Sequence, residues 1–278
     1  MRPGTLYVVA TPLGNLGDLS SRAAEVLRTA PVVAAEDTRR TRGLLTHLGA
    51  APTLLSFHAH SDLQRIESLL DILRSGRDVA LVSDAGTPTI SDPGTDLVIQ
   101  ARTAGIAVVP IPGASAVATA LSASGLPGDR YLFLGFIPRK GRERTRLLTR
   151  AAAEEWSVVF YEAPPRLVTL LEDLIPLTGP DRPAVVAREL TKLHEEIRSG
   201  TVGELVDYYT ATPPRGEITV VLQGTGAPAP EPDRTEDAME QASSLLAEGL
   251  TRREVVRRLT DSLGMPRNEA YRLVMELP

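Results

Sequence analysis

An α/β fold is predicted, built as two α/β units followed by a small helical module. Three observations predict it. Short aliphatic runs alternate with helical stretches along the N-terminal part of the chain. Each of those runs opens into a loop rich in glycine, proline or charge. Beyond a proline-rich stretch, the pattern changes to helical periodicity alone. Alternation of strand, loop and helix predicts a parallel sheet with its loops gathered at one edge.

Four strands are expected in the first unit, at 6–10, 32–35, 78–82 and 108–111, because each is a compact β-branched or aliphatic run. Helices are expected at Ser21–Thr29 and 62–74. From Ala114 a small-residue helix is expected to run to Ser124 and to cross into the second unit. That unit has strand candidates at 131–136, 158–161, 184–187 and 217–222, with helices at 168–174 and 202–209. Pro213 and Pro214 stop the preceding helix, and Gly216 precedes a strand. Residues 225–234 have the composition of a stiff linker.

After it, Ala238, Ala242, Leu245 and Leu246 share one helical face. Thr251 and Glu254 form a capping box ahead of Val255, Val256, Leu259 and Leu263. Gly264 suits a helix end and Pro266 a helix start. Ala270, Leu273, Val274 and Leu277 then recur at helical spacing. The expected division is therefore 1–113, 114–224, a linker at 225–234, and a helix-turn-helix-like module at 235–278.

Composition narrows the function. The 278 residues contain no run near the ~20 apolar residues that span a bilayer. No basic stretch followed by an apolar core opens the chain, so no signal peptide is expected and the expected compartment is the cytoplasm. The absence of cysteine excludes disulfides and thiolate metal sites. His58, His60 and His194 lack the spacing of a metal site, and no metal is expected. A net charge of −5 excludes a generally basic coat, so nucleic-acid contact requires local patches. Residues 137–150 form one: Arg139, Lys140, Arg142, Arg144, Arg146 and Arg150 stand against Glu143 alone. That segment is expected as a loop contacting phosphates, a solvated helix face being the alternative.

The loop at 83–94, Ser-Asp-Ala-Gly-Thr-Pro-Thr-Ile-Ser-Asp-Pro-Gly, is the most informative stretch. Small residues, glycines and prolines let the backbone approach a ligand closely, and ligands of open α/β sheets bind beyond the carboxyl ends of strands. Neither a phosphate-cradling P-loop nor the glycine-rich fingerprint of dinucleotide folds is present.

Six motifs in order resemble one family: Pro-Leu-Gly-Asn-Leu-Gly-Asp at 12–18, Ala-Glu-Asp-Thr-Arg at 35–39, the 83–94 loop, Pro-Ile-Pro-Gly-Ala-Ser-Ala at 110–116, Phe-Tyr-Glu-Ala-Pro at 160–164 and Ala-Arg-Glu-Leu-Thr-Lys at 187–192. Together they resemble the small-subunit ribosomal RNA methyltransferase I branch of the tetrapyrrole methylase superfamily. The likeness runs from about Leu6 to the C-terminus. It implies methyl transfer from S-adenosylmethionine to a ribose 2′-hydroxyl, that of cytidine 1402 (RNA numbering) in 16S rRNA. The substrate is then naked RNA or the small subunit, and a homodimer is implied. Pro165 departs from the pattern, which usually has histidine there.

By this resemblance, Pro12, Ala85, Gly86, Thr87, Ile90, Ser115 and Ala116 touch the cofactor, and Glu162 and Leu190 close the far side, in a cleft between the two units. A ribose hydroxyl must lose its proton during attack, so a base or cation near that oxygen is needed. Asp37 is the first choice as base and Glu36 the second. Lys192 is an alternative as an amine of lowered pKa. Arg39 and Arg166 are expected on phosphates beside the target, and Arg139, Lys140 and Arg142 on phosphates met by the loop beside the site. Arg253, Arg257 and Arg272 are expected to carry RNA contact from the C-terminal module. Two alternatives remain open: methylation of a tetrapyrrole precursor, and a non-enzymatic nucleic-acid-binding protein.

Overall fold

The computed structural model describes residues 2–58, 63–226, 234–263, 265 and 267–277. His60, Asp62, linker residues 227–233, Gly264 and Pro266 lie outside the described residues. Residues 1–226 make one compact unit and 227–278 a second.

β1 (Thr5–Val9), β2 (Val32–Ala35), β3 (Thr53–Ser56), β4 (Val79–Val82) and β5 (Ala107–Ile111) form one sheet in the order β3-β2-β4-β1-β5. Every pairing in it is parallel. β2 and β4 are buried at all positions, as suits strands covered on both faces. Their alternation divides the core in two. Val32, Ala34, Val79 and Leu81 meet α3 (Leu63–Arg74) and α4 (Thr95–Thr103). Val33, Ala35, Ala80 and Val82 meet α1 (Ser21–Thr29) and α2 (Thr38–His47). β3 is a strand that the sequence does not announce: four residues, polar at both ends, paired with β2 alone.

α5 (Ala116–Ser124) leaves the first sheet and packs Val117, Ala120 and Leu121 on the second. β6 (Tyr131–Phe136), β7 (Ser157–Glu162), β8 (Pro183–Arg188), β9 (Glu196–Thr201) and β10 (Ile218–Leu222) are ordered β6-β7-β10-β8-β9. Only β6 and β7 run parallel; the other three pairings are antiparallel. The opposite face is covered by α6 (Arg142–Ala153), α7 (Leu167–Thr178) and α8 (Val202–Ala211). α8 starts with a complete capping box between Thr201 and Glu204. β9 reads Glu-Ile-Arg-Ser-Gly-Thr and carries no apolar alternation, so nothing in its sequence marks it as a strand.

The expected loop at 137–150 is corrected: from Arg142 onward it is helix α6. Arg144 faces inward, with Nη2 2.6 Å from Asp173, and is 8% exposed, so it is a structural residue. Arg146 pairs with Glu143 at 2.7 Å.

The second compact unit holds α9 (Arg234–Ala247), α10 (Arg252–Leu263) and α11 (Arg267–Glu276) around Ala242, Val255, Leu259, Ala270 and Val274. The Thr251–Glu254 capping box is present, with Thr251 N–H donating to Glu254 at 2.9 Å and Glu254 N–H to Thr251 Oγ1 at 3.4 Å.

Candidate active site

The loops after β1, β2, β4 and β5 emerge at the carboxyl edge of the first sheet. Two of them are tied together: Thr11 N–H donates to the Gly86 carbonyl at 2.8 Å, and Gly86 N–H to the Thr11 carbonyl at 3.0 Å. Gly86 has φ +80, which glycine adopts without strain. Thr87 Oγ1 donates to the Ala114 carbonyl at 3.2 Å, linking the loop to the start of α5, whose N-cap is Ser115. From the second sheet, the loop after β8 reaches across. Asn15 N–H donates to Thr191 Oγ1 at 3.2 Å, and the Lys192 side chain lies against Gly14, where a Cβ would collide with it. Thr89, Ser91, Glu189 and Thr191 all have positive φ, so left-handed strain collects in the two loops that face each other.

Between the sheets these loops enclose a cavity of about 490 Å³, a volume within the ~300–1,000 Å³ of small-molecule pockets. Ala85, Gly86, Thr87, Ile90, Ser115, Ala116, Glu162 and Leu190 line it, as does Glu36. Leu13, not Pro12, is the lining residue after β1. Sequence reasoning missed Arg40, Asp84, Asp92, Phe136, Tyr161 and Glu217, which also line it. Among the described residues, the walls carry five carboxylates, Glu36, Asp84, Asp92, Glu162 and Glu217, against Arg40 alone.

Those carboxylates differ in state. Burial raises the pKa of Glu36, opposed by the Asp84 N–H that it accepts at 3.3 Å and reinforced by the Asp84 charge. Burial pushes Asp92 up to about 6, opposed by a hydrogen bond from Ser83, with the charges of Glu36 and Asp84 adding to the rise. Tyr161, beside Asp92, is pushed up to about 12, chiefly by burial. Glu162 has a wholly buried side chain; burial raises its pKa, while the Ala163 N–H at 2.8 Å and Arg166 at 3.1 Å oppose the rise. Apart from that Arg166 ion pair, its Oε2 accepts no hydrogen bond among the described residues.

Three expected roles are corrected. Asp37 does not line the cavity. Its Oδ1 accepts from the Arg39 N–H at 2.8 Å as the N-cap of α2, and its Oδ2 meets Arg39 Nη2 at 2.8 Å, so its pKa falls well below the carboxylate range. Lys192 is not an amine of lowered pKa. Burial pulls its pKa down, but ion pairs with Glu189 at 2.8 Å and Glu217 at 3.0 Å outweigh that, and the net shift is upward. Arg166 points inward, with its guanidinium on Glu162 and on the Ile137 carbonyl, and is not free for a phosphate. Pro165 is exposed in the 3-10 turn 164–166 and is not among the lining residues.

The cationic surface residues are open to solvent. Arg39 is 87% exposed at its side chain. Arg139, Lys140 and Arg142 are exposed and make no ion pair among the described residues. Arg253, Arg257 and Arg272 are exposed on the helical module.

The family model for tetrapyrrole (corrin/porphyrin) methylases matches residues 5–206. A Synechocystis protein named ribosomal RNA small subunit methyltransferase I is 46% identical over 275 residues, 99% of this chain and 98% of its own. The chain belongs to the ribosomal RNA small subunit methyltransferase I family. A second member of that family, from Escherichia coli O157:H7, is 43% identical and covers 98% of this chain and 95% of its own. A solved structure of a Thermus thermophilus uroporphyrin-III C-methyltransferase, complexed with S-adenyl homocysteine, shares the fold. Its TM-score is 0.57 at 19% identity, covering 78% of this chain and 97% of that one. The chain therefore has the tetrapyrrole methylase fold and is a methyltransferase. The cavity suits S-adenosylmethionine, which carries a sulfonium and an ammonium: among the described residues its wall offers five carboxylates against one guanidinium.

Proposed function

We propose that this methyltransferase modifies the ribose 2′-hydroxyl of cytidine 1402 in 16S rRNA of the small ribosomal subunit. One observation carries the chemistry: Glu36, a carboxylate of raised pKa, lines the same cavity as the residues suited to the cofactor. Ala85, Gly86, Thr87, Ile90, Ser115, Ala116, Glu162 and Leu190 hold S-adenosylmethionine, with Pro12 next to the lining residue Leu13 in the chain. Bound there, the cofactor supplies a methyl group on a positively charged sulfur. In-line transfer depends on positioning, with reacting atoms held roughly 3–3.5 Å apart. Glu36 accepts the proton that the 2′-hydroxyl gives up, because a raised pKa makes it the stronger base of the Glu36–Asp37 pair. Arg40 stays beside Asp84, 3.6 Å away, and limits the repulsion among the acidic groups.

Arg39, Arg139, Lys140 and Arg142 bind RNA phosphates near the cleft, and Arg253, Arg257 and Arg272 bind them from the helical module. The enzyme acts in the cytoplasm as a homodimer. No helix among the described residues is long and apolar enough to cross a membrane. The test is nucleoside mass spectrometry of 16S rRNA from cells lacking this protein. Loss of one 2′-O-methylcytidine, restored by the wild-type gene, is the expected result. Unchanged rRNA would move the function to another acceptor, such as a tetrapyrrole precursor.

A further inference from the structure

Side chains alternate along a strand, so strict alternation in β6 would put Phe136 on the face of Leu132 and Leu134. Those two pack against the core that α6, α7 and α8 build. The register says otherwise. Phe133 stands opposite Val159, but Phe136 stands opposite Tyr161, so three steps along β6 match two along β7. One extra residue has entered the strand. Such a bulge turns the residues beyond it to the other face of the sheet.

Gly135 supports the bulge, with φ +62, and a Cβ there would come within 2.9 Å of Ser91 Oγ. Phe136 consequently shares the face of Phe133 and Tyr161. Tyr161 stands edge-to-face with Phe133 at 4.9 Å and with Phe136 at 5.5 Å. Phe136 lines the cleft and is 56% exposed. In a chain whose residues are only 4% aromatic, a bulge that takes a phenylalanine out of a core face and into a cavity mouth needs a ligand to explain it.

We propose that Phe136, backed by Tyr161, is the platform on which the target nucleobase stacks once it has left the RNA stack. This rests on the RNA function proposed above. The walls suited to the cofactor lie on other segments, at 85–90, 115–116, 162 and 190. Phe136 stands instead three residues before Arg139, and Arg139, Lys140 and Arg142 are exposed and without ion pairs among the described residues. Phosphates on either side of the target are held by those cations while the base turns inward onto the ring. Every base has a π-face, so this platform retains the nucleotide and sets the reach of its ribose; it does not choose cytosine.

The test uses full-length wild type, Phe136→Leu and Phe136→Trp. Three quantities are measured: affinity for S-adenosylhomocysteine by calorimetry, kcat and KM on small ribosomal subunits, and fluorescence of pyrrolocytosine at the target position of an RNA oligonucleotide. Affinity for S-adenosylhomocysteine is expected within about twofold in all three. Base–aromatic stacking of ~1–3 kcal/mol converts to a roughly 5- to 150-fold loss in kcat/KM for Phe136→Leu, together with loss of pyrrolocytosine quenching. Phe136→Trp is expected to restore both. Wild-type behaviour of Phe136→Leu, or a tryptophan variant no better than leucine, overturns the proposal. A fall in S-adenosylhomocysteine affinity also overturns it, by placing the ring against the cofactor. A wild-type enzyme that leaves the RNA unmethylated overturns the RNA function and this proposal with it; normal wild-type methylation matched by Phe136→Leu overturns the platform alone.

Discussion

Glu36 reaches the cleft from the end of β2, whereas the next residue, Asp37, caps α2 and is held by Arg39. Their exchange of roles gives two opposed expectations. Glu36→Gln should keep cofactor affinity and lower the single-turnover rate by about 10²–10⁴, the range for a lost general base. Asp37→Ala should leave that rate near wild type and lower the melting temperature by roughly 2–4 °C through loss of the helix cap. Quench-flow rates and calorimetric melts separate the two. Because burial raises Glu36, the acidic limb of kcat/KM against pH should lie above the ordinary glutamate value of 4.5. Asp92 gives a stability signature. Its folded pKa of about 6 lies above its ordinary 3.8, so the folded state binds its proton more tightly. Its contribution is most favourable below pH 3.8 and is lost as pH rises through 6. Asp92→Asn should therefore raise the melting temperature at about pH 7.5 relative to wild type, with the difference shrinking at about pH 4. Neither Glu36 nor Asp92 is distinguished in the sequence from its acidic neighbours. What separates them is burial and the company of other carboxylates, which only the assembled loops create.

At the scale of elements, the aliphatic runs placed four of the five strands in each sheet, because an apolar strand covered on both faces leaves a continuous hydrophobic signature. The misses have the opposite character. β3 and β9 are short or polar edge strands held by pairing to one neighbour, and pairing leaves no composition signal. α6 begins in a run of charge that conceals its buried stripe of Arg144, Leu148, Ala151 and Ala152. The bulge at Gly135 inverts the side-chain pattern of β6 and so hides Phe136 from any argument based on alternation. α6 also sorts the basic residues into two kinds. Arg144→Met removes the two-nitrogen pairing with Asp173 and the bond to the Pro138 carbonyl at 3.0 Å. It should cost about 1–3 kcal/mol in denaturant melts and leave the salt dependence of RNA binding unchanged. Replacing Arg139, Lys140 and Arg142 together by alanine should change stability by less than about 0.5 kcal/mol. The slope of log affinity against log salt should then flatten by up to roughly 0.7 for each phosphate no longer neutralised.

Over the whole molecule, the lining residues named above belong to the 1–226 unit, and the helical module has its own apolar core. Truncation after Gly226 should therefore leave affinity for S-adenosylmethionine within about twofold by calorimetry. Methylation of small subunits should fall sharply and become less sensitive to salt, because Arg253, Arg257 and Arg272 no longer neutralise phosphates. The motifs were legible as a family because they are backbone-shaping residues at fixed places on the sheet edge, and eight of the nine expected cofactor positions meet in one cavity. Side-chain direction was not legible: Arg166 turns to Glu162, and Lys192 to Glu189 and Glu217. Full-length enzyme incubated with labelled S-adenosylmethionine and small ribosomal subunits that lack the modification tests the proposed chemistry most directly, with the labelled nucleoside mapped by mass spectrometry. One methyl group per subunit, on the 2′-oxygen of cytidine 1402 and absent with Glu36→Gln, is the predicted result; label on a base, on another ribose or on no RNA at all would contradict it.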